Sequence, residues 1–104
     1  MKEYFIHEAL KEAKISLLLN EVPVGAVIVK DNKIIARSHN LREIMQDATA
    51  HAEVLAIKKA CAVLSSWRLT GCDMYVTLEP CPMCAGAILQ SRIIKLYIGM
   101  FDPS

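Results

Sequence analysis

An α/β fold in three layers, a mixed sheet with helices on both faces, is what this 104-residue sequence predicts. Apolar residues recur at helical spacing in separate segments, and short β-branched or apolar runs of strand length lie between them. The two kinds of segment alternate, in the order helix, strand, strand, helix, strand, helix, strand. The length suits a single domain, residues 1–104, with neither an internal repeat nor a linker to divide it.

Residues 3 to 19 form the first predicted helix. Ile6, Ala9, Leu10, Ala13 and Leu17 make its apolar stripe, and Lys2, Glu8, Lys11 and Glu12 occupy the other sides. The run from Val22 to Val29 follows as a strand, turns at Asp31-Asn32 and returns through Ile34-Ile35-Ala36, which reads as a β-hairpin. Gly25 inside the first strand marks either a bulge or a place where something approaches the backbone closely. A second helix is expected from Thr49 to Leu64, capped by Thr49 or Asp47, with Val54, Leu55, Ile57, Cys61 and Leu64 on its buried face. Asp73 to Leu78 is a short strand. Pro82 to Gln90 is a third helix opened by its proline, and Ile94 to Ile98 is a last strand. Strands joined through helices run parallel, so an antiparallel hairpin joined to parallel strands makes the sheet mixed.

Bulk properties narrow the function classes. A formal charge of +1 exerts no general pull on a polyanion, so any contact with nucleic acid has to be local. No apolar run reaches membrane-spanning length, and Lys and Glu interrupt the stretch from Met1 to Leu19, unlike a signal peptide. The expectation is a cytoplasmic protein with no membrane partner. A hydrophobic content of 54% leaves room for an apolar face that meets a partner or a second copy. The four cysteines, without a secretory signal, read as reduced thiols or metal ligands rather than disulfides.

In an open α/β sheet, ligands collect beyond the carboxyl ends of the strands, where helices begin. His51 falls at the start of the second helix, and Cys81 and Cys84 at the start of the third. Two helix N-termini aimed at one spot favour thiolates, and the Cys81-Pro82-Met83-Cys84 spacing sets both sulfurs on one side of a turn. Thiolates plus imidazole select zinc, Zn2+, and a tetrahedral ion with three protein ligands keeps its fourth position for water. Glu53, two residues from His51, is the natural proton carrier and catalytic residue. Other readings stand beside this one. A Cys-x-x-Cys alone fits a redox pair, but leaves His51 and Glu53 without a role. A structural zinc in a non-catalytic module needs a fourth protein ligand, from Cys72, Cys61 or His39. Otherwise Cys61 is a small core residue, Cys72 a free thiol at a turn, and His7 and His39 carry no chemical signal.

His51-Ala52-Glu53 followed by Pro80-Cys81-Pro82-Met83-Cys84 resembles the signature of the cytidine deaminase superfamily. Three longer segments resemble, within it, the bacterial tRNA adenosine deaminases, which convert the wobble adenosine of an anticodon to inosine. They are Glu21-Val22-Pro23-Val24-Gly25-Ala26-Val27, Asp47-Ala48-Thr49-Ala50-His51-Ala52-Glu53 and Thr77-Leu78-Glu79-Pro80-Cys81-Pro82-Met83-Cys84-Ala85-Gly86-Ala87.

The resemblance implies a three-layer cytidine deaminase-like fold, one zinc per chain and hydrolytic deamination in the tRNA anticodon loop. Asn40 would hydrogen-bond the purine, Val24, Gly25 and Ala26 would shape the base pocket, and Asp102 would touch the substrate nucleotide. It also implies a homodimer, with Ala85-Gly86-Ala87 permitting close approach. Family members continue past the position of Phe101-Asp102-Pro103 into a last strand and a C-terminal helical stretch. A chain without them is expected to bind zinc but to deaminate tRNA weakly or not at all. The same chemistry acts on guanine and other free nucleobases or nucleosides, so a free-base deaminase is the alternative.

Overall fold

The computed structural model describes residues 1–99, so Asp102 lies outside the described residues. Its elements are α1 (Lys2–Leu18), β1 (Gly25–Lys30), β2 (Lys33–His39), α2 (Arg42–Met45), α3 (Ala52–Leu64), β3 (Cys72–Val76), α4 (Pro82–Gln90) and β4 (Lys95–Ile98). The sheet has the order β2-β1-β3-β4; β1 is antiparallel to both neighbours, and β3 is parallel to β4. Asp31 and Asn32 both take positive φ, 51° and 61°, as a two-residue hairpin turn matching strand twist requires.

Alternation along the strands builds two cores. Val24, Ala26 and Ile28 face one way and pack with Ala52, Ala56 and Ala60 of α3 and Ile88 of α4. Val27 and Val29 face the other way and pack with Phe5 and Ala9 of α1. The helices therefore flank the sheet, α1 on one face and α3 with α4 on the other. Small residues dominate the inner side of α3, so this helix lies close to the strands. The larger Ile57, Cys61 and Leu64 close the edge of that core, while Val54 and Leu55 are only half-buried.

Several expectations change. The β2–α3–β3 connection leaves its strands pointing the same way with β1 between them, so β3 with β4 is the only parallel pair among the described residues. Gly25 is a site of close approach: a Cβ there would meet the backbone of Ala9 and Ala13 in α1. The bulge lies elsewhere, between Ile28 and Val29. The buried side of α1 comprises Phe5, Glu8, Ala9, Glu12, Ala13 and Ser16, whereas Leu17 is exposed. Two glutamates are buried because β2 supplies their partners. Arg37 donates to Glu8 at 2.9 Å, and His39 Nδ1 lies 2.8 Å from Glu12. Arg37 and His39 sit opposite Val27 and Gly25 in the ladder, on the α1 face. Cys72 is a free thiol, but a wholly buried one at the start of β3 rather than at a turn. The short α2 was not anticipated.

Candidate active site

Helix α3 begins later than the sequence suggests, and the reason lies in the turn before it. The Asp47 carboxylate accepts hydrogen bonds from the Thr49 N–H and hydroxyl at 2.8 and 2.7 Å, closing an Asx turn. Those bonds also hold the Asp47 carboxyl below its usual range. The chain then passes extended through His51, φ −77° and ψ 149°, which is the true N-cap of α3. Cys81 is the N-cap of α4 in a similar extended conformation, with Pro82 at the first helical position. Neither side chain caps its own helix. Both are thereby free to meet across the gap between two helix starts.

They do meet. The His51 Nδ1 atom lies 3.7 Å from the Cys81 sulfur and 3.4 Å from the Cys84 sulfur, and the donor atoms of all three residues fall within 4.8 Å of one another. Ligand bonds of about 2.0–2.3 Å in a tetrahedral array put nitrogen and sulfur about 3.6 Å apart. The observed spacings bracket that value, so the donor set fits zinc in size as well as in chemistry. Burial, with Glu53 and Cys81 close by, pushes the Cys84 thiol far above its ordinary value, so the pocket resists a bare thiolate. A cation between the donors relieves that resistance.

The residues weighed as a fourth ligand lie elsewhere. His39 is engaged with Glu12, Cys72 is enclosed in the core, and the Cys61 sulfur lies 3.9 Å from the Trp67 carbonyl. Among the described residues, His51, Cys81 and Cys84 form the only such group.

Glu53, in the first turn of α3, is 4% exposed. Burial raises its carboxyl above the ordinary range, while its own backbone N–H, His51 and Cys84 pull it back down. A cavity of about 140 Å³ opens onto this group, lined by Asn40, Arg42, His51, Glu53 and Cys81 with Val22, Val24, Leu78 and Glu79. That is small beside the ~300–1,000 Å³ of pockets for drug-sized ligands. A more open cleft of about 440 Å³ between β2 and α3 contains no histidine, cysteine or acid.

Asn40 and Val24 stand in the cavity wall. Ala26 lies deeper on the same sheet face, fully buried, and Gly25 is turned toward α1. Sequence reasoning gave Arg42, Leu78 and Glu79 no part in the cavity. Only their nearness to Asn40 and Cys81 along the chain hinted at one.

The family model for the cytidine and deoxycytidylate deaminase zinc-binding region matches residues 1–100. This chain belongs to that deaminase family. The tRNA-specific adenosine deaminase of Bacillus subtilis is 56% identical over 101 residues, covering 97% of this chain and 63% of that protein. The tRNA-specific adenosine deaminase of Aquifex aeolicus is 54% identical over 101 residues, covering 97% and 67%. Among solved structures, one from a study of A-to-I editing by tRNA:A34 deaminases at the wobble position matches with a TM-score of 0.92 and 50% identity, covering 98% of this chain and 74% of that one. The guanine deaminase of Bacillus subtilis matches with a TM-score of 0.91 and 43% identity, covering 94% and 63%.

This member of the deaminase family therefore spans less than two thirds of its Bacillus relative's length. The cytidine deaminase-like fold and the zinc cofactor expected from the sequence agree with the family, the topology and the donor set. No helix among the described residues is long and apolar enough to cross a membrane.

Proposed function

We propose that this protein is a zinc-dependent hydrolase that deaminates adenosine to inosine at the wobble position of tRNA. His51, Cys81 and Cys84 are its metal ligands, and Glu53 is its catalytic proton carrier. The observation that carries the chemistry is the convergence of one imidazole nitrogen and two sulfurs, 3.4 and 3.7 Å apart, beside a buried glutamate. Support for the substrate comes from the relatives named as tRNA-specific adenosine deaminases.

Zinc held by His51, Cys81 and Cys84 would supply the Lewis acidity that makes hydroxide available near neutral pH. The chain does the rest. Glu53 accepts one proton as the water oxygen bonds to the amine-bearing carbon and passes it to the adjacent ring nitrogen. It then accepts the second proton from the new hydroxyl and gives it to the amino group, so that the C–N bond breaks, ammonia leaves and the carbonyl forms. Its burial favours the protonated form, which suits a group that must give back what it takes. Asn40 in the cavity wall hydrogen-bonds the base, and Val24 packs beside it. Gly25 and Ala26 act at one remove, Gly25 by seating α1 and Ala26 by filling the sheet beneath Val24. Arg42, the only cation among the lining residues, meets phosphate at the cavity mouth. A homodimer is consistent with α4, where Met83 and Leu89 are exposed and Gly86 faces open space. The bacterial relatives named as tRNA-specific adenosine deaminases support a cytoplasmic site of action.

The test is a single-turnover assay with protein in excess over an anticodon stem-loop, scored for inosine at the wobble position. Glu53→Ala should abolish the product. The guanine deaminase likeness supports a second reading. Xanthine from guanine, with adenosine in the stem-loop untouched, would overturn the RNA reading and leave the zinc chemistry standing.

A further inference from the structure

One wall of the cavity has little to hold it in place. Its metal-binding side rests on α3 and α4, each packed on the sheet. The opposite side includes Val22, Asn40 and Arg42. Arg42 opens α2, which has four residues, none of them buried. A helix so short is unstable by itself; this one buries no side chain, and the Leu41 N–H before it donates to the Ala50 carbonyl at 3.0 Å.

What anchors it is Glu21, 5% exposed, in the turn that follows α1. Its two carboxylate oxygens accept the N–H groups of Glu43 at 3.1 Å and Ile44 at 2.7 Å, the otherwise unpaired donors of the first turn of α2. A second tie runs parallel to it. The Ser16 hydroxyl donates to the Asn40 carbonyl at 2.9 Å in a buried bond. The two ties are joined, since the Glu21 N–H donates to the Ser16 carbonyl at 2.9 Å. The Asn40 N–H in turn donates to the Val24 carbonyl at 3.1 Å. A buried carboxylate is costly unless its oxygens are bonded. Here both are spent on the backbone of the segment that carries Arg42.

We propose that Glu21 is a positioning residue for substrate, holding the Asn40–Met45 segment, and with it Asn40 and Arg42, against the cavity that faces the metal site. The assignment rests on the deaminase reading given above. It separates two functions in space. Loss of the Glu21 anchor loosens the wall that meets the substrate and leaves His51, Glu53, Cys81 and Cys84 on elements that Glu21 does not touch.

The experiment compares the unaltered protein with Glu21→Ala, Glu21→Gln and Ser16→Ala. Zinc per chain, amide exchange at Glu43 and Ile44, and KM and kcat for inosine formation in an anticodon stem-loop are measured for each. For Glu21→Ala, zinc content should be unchanged, exchange at both amides faster by about tenfold or more, KM raised about tenfold and kcat within about threefold. Glu21→Gln keeps the shape and one acceptor oxygen, so its shifts should be intermediate; it decides the matter if the alanine variant does not fold. Ser16→Ala should raise KM in the same direction. Faster exchange with unchanged KM, a loss confined to kcat, or a parallel loss of zinc would each overturn the assignment. Inosine formation by the unaltered protein tests the deaminase reading independently of Glu21. If xanthine from guanine is the product instead, the same KM ratio measured on guanine decides the role of Glu21.

Discussion

Replacing Gly25 by alanine is the sharpest test of how α1 is seated on the sheet. A Cβ at this position would stand 2.0 Å from the Ala9 carbonyl oxygen, 2.5 Å from the Ala13 nitrogen and 2.8 Å from the Glu12 Cβ. Ordinary contact begins near 3.4 Å, so the shortfall from 2.0 Å requires α1 to retreat by about 1.4 Å. The nearest obstructions are backbone, which no rotamer change can move aside. Retreat opens the cluster of Phe5, Ala9, Val27, Val29 and Tyr75 and stretches the bonds from Glu8 and Glu12 to β2. Overpacking in a close-packed core costs about 1–3 kcal/mol, and an obstruction made of backbone belongs at or above the top of that range, about 3 kcal/mol. For a domain of this size that lowers Tm by about 12 °C or more. Gly86→Ala is the matched control. It lies in α4 with nothing within 4 Å of the added carbon, and alanine there should stabilise the helix by up to about 1 kcal/mol. Urea and thermal unfolding of the two variants beside the parent give the result. A Gly25→Ala protein with the parent's midpoint would refute the close seating of α1.

Glu53→Gln should retain zinc at the parent's level and lower the rate of deamination by about 10²–10⁴-fold, the usual worth of a positioned proton carrier. Metal analysis beside single-turnover kinetics reads both quantities, and substantial turnover would remove Glu53 from the mechanism. Cys84→Ser should lose zinc and activity together, and chelation of the unaltered protein should do the same reversibly; zinc analysis at the parent's stoichiometry in the serine variant would count against Cys84 as a ligand. The Glu8 carboxyl is held below its ordinary value by hydrogen bonds first from Lys11 and then from Arg37. A depressed folded-state value means a contribution fully present above the unfolded pKa and lost as pH falls through the folded one. The stability gap between the parent and Glu8→Gln should therefore be widest at neutral pH and shrink in acid below the ordinary glutamate range, as urea unfolding at a series of pH values would show; a gap that widens in acid has the wrong sign.

Much of this molecule is legible in its chain because the relevant forces are local. The Asp31-Asn32 turn and the proline that opens α4 reflect backbone preferences within a few residues, and both appear where expected. The metal site was legible for a related reason. Cys81 and Cys84 share one helical turn, Glu53 is two residues from His51, and thiolate and imidazole limit the choice of ion wherever they meet. What the chain alone did not reveal depends on partners distant in sequence. Glu8 and Glu12 look like solvent-facing residues until Arg37 and His39 arrive from β2, and Gly25 reads equally as a bulge until α1 lies across it. Glu21 belongs to a segment that resembles the deaminases, but it has no assignable role before the fold brings it to the N–H groups of Glu43 and Ile44. Local chemistry thus determined which residues offer nitrogen and sulfur donors to a metal ion and which carboxyl stands beside them. Tertiary packing decided which polar groups are buried, what satisfies them and how the cavity wall is held, because desolvation and hydrogen bonding across the fold have no counterpart in residue order.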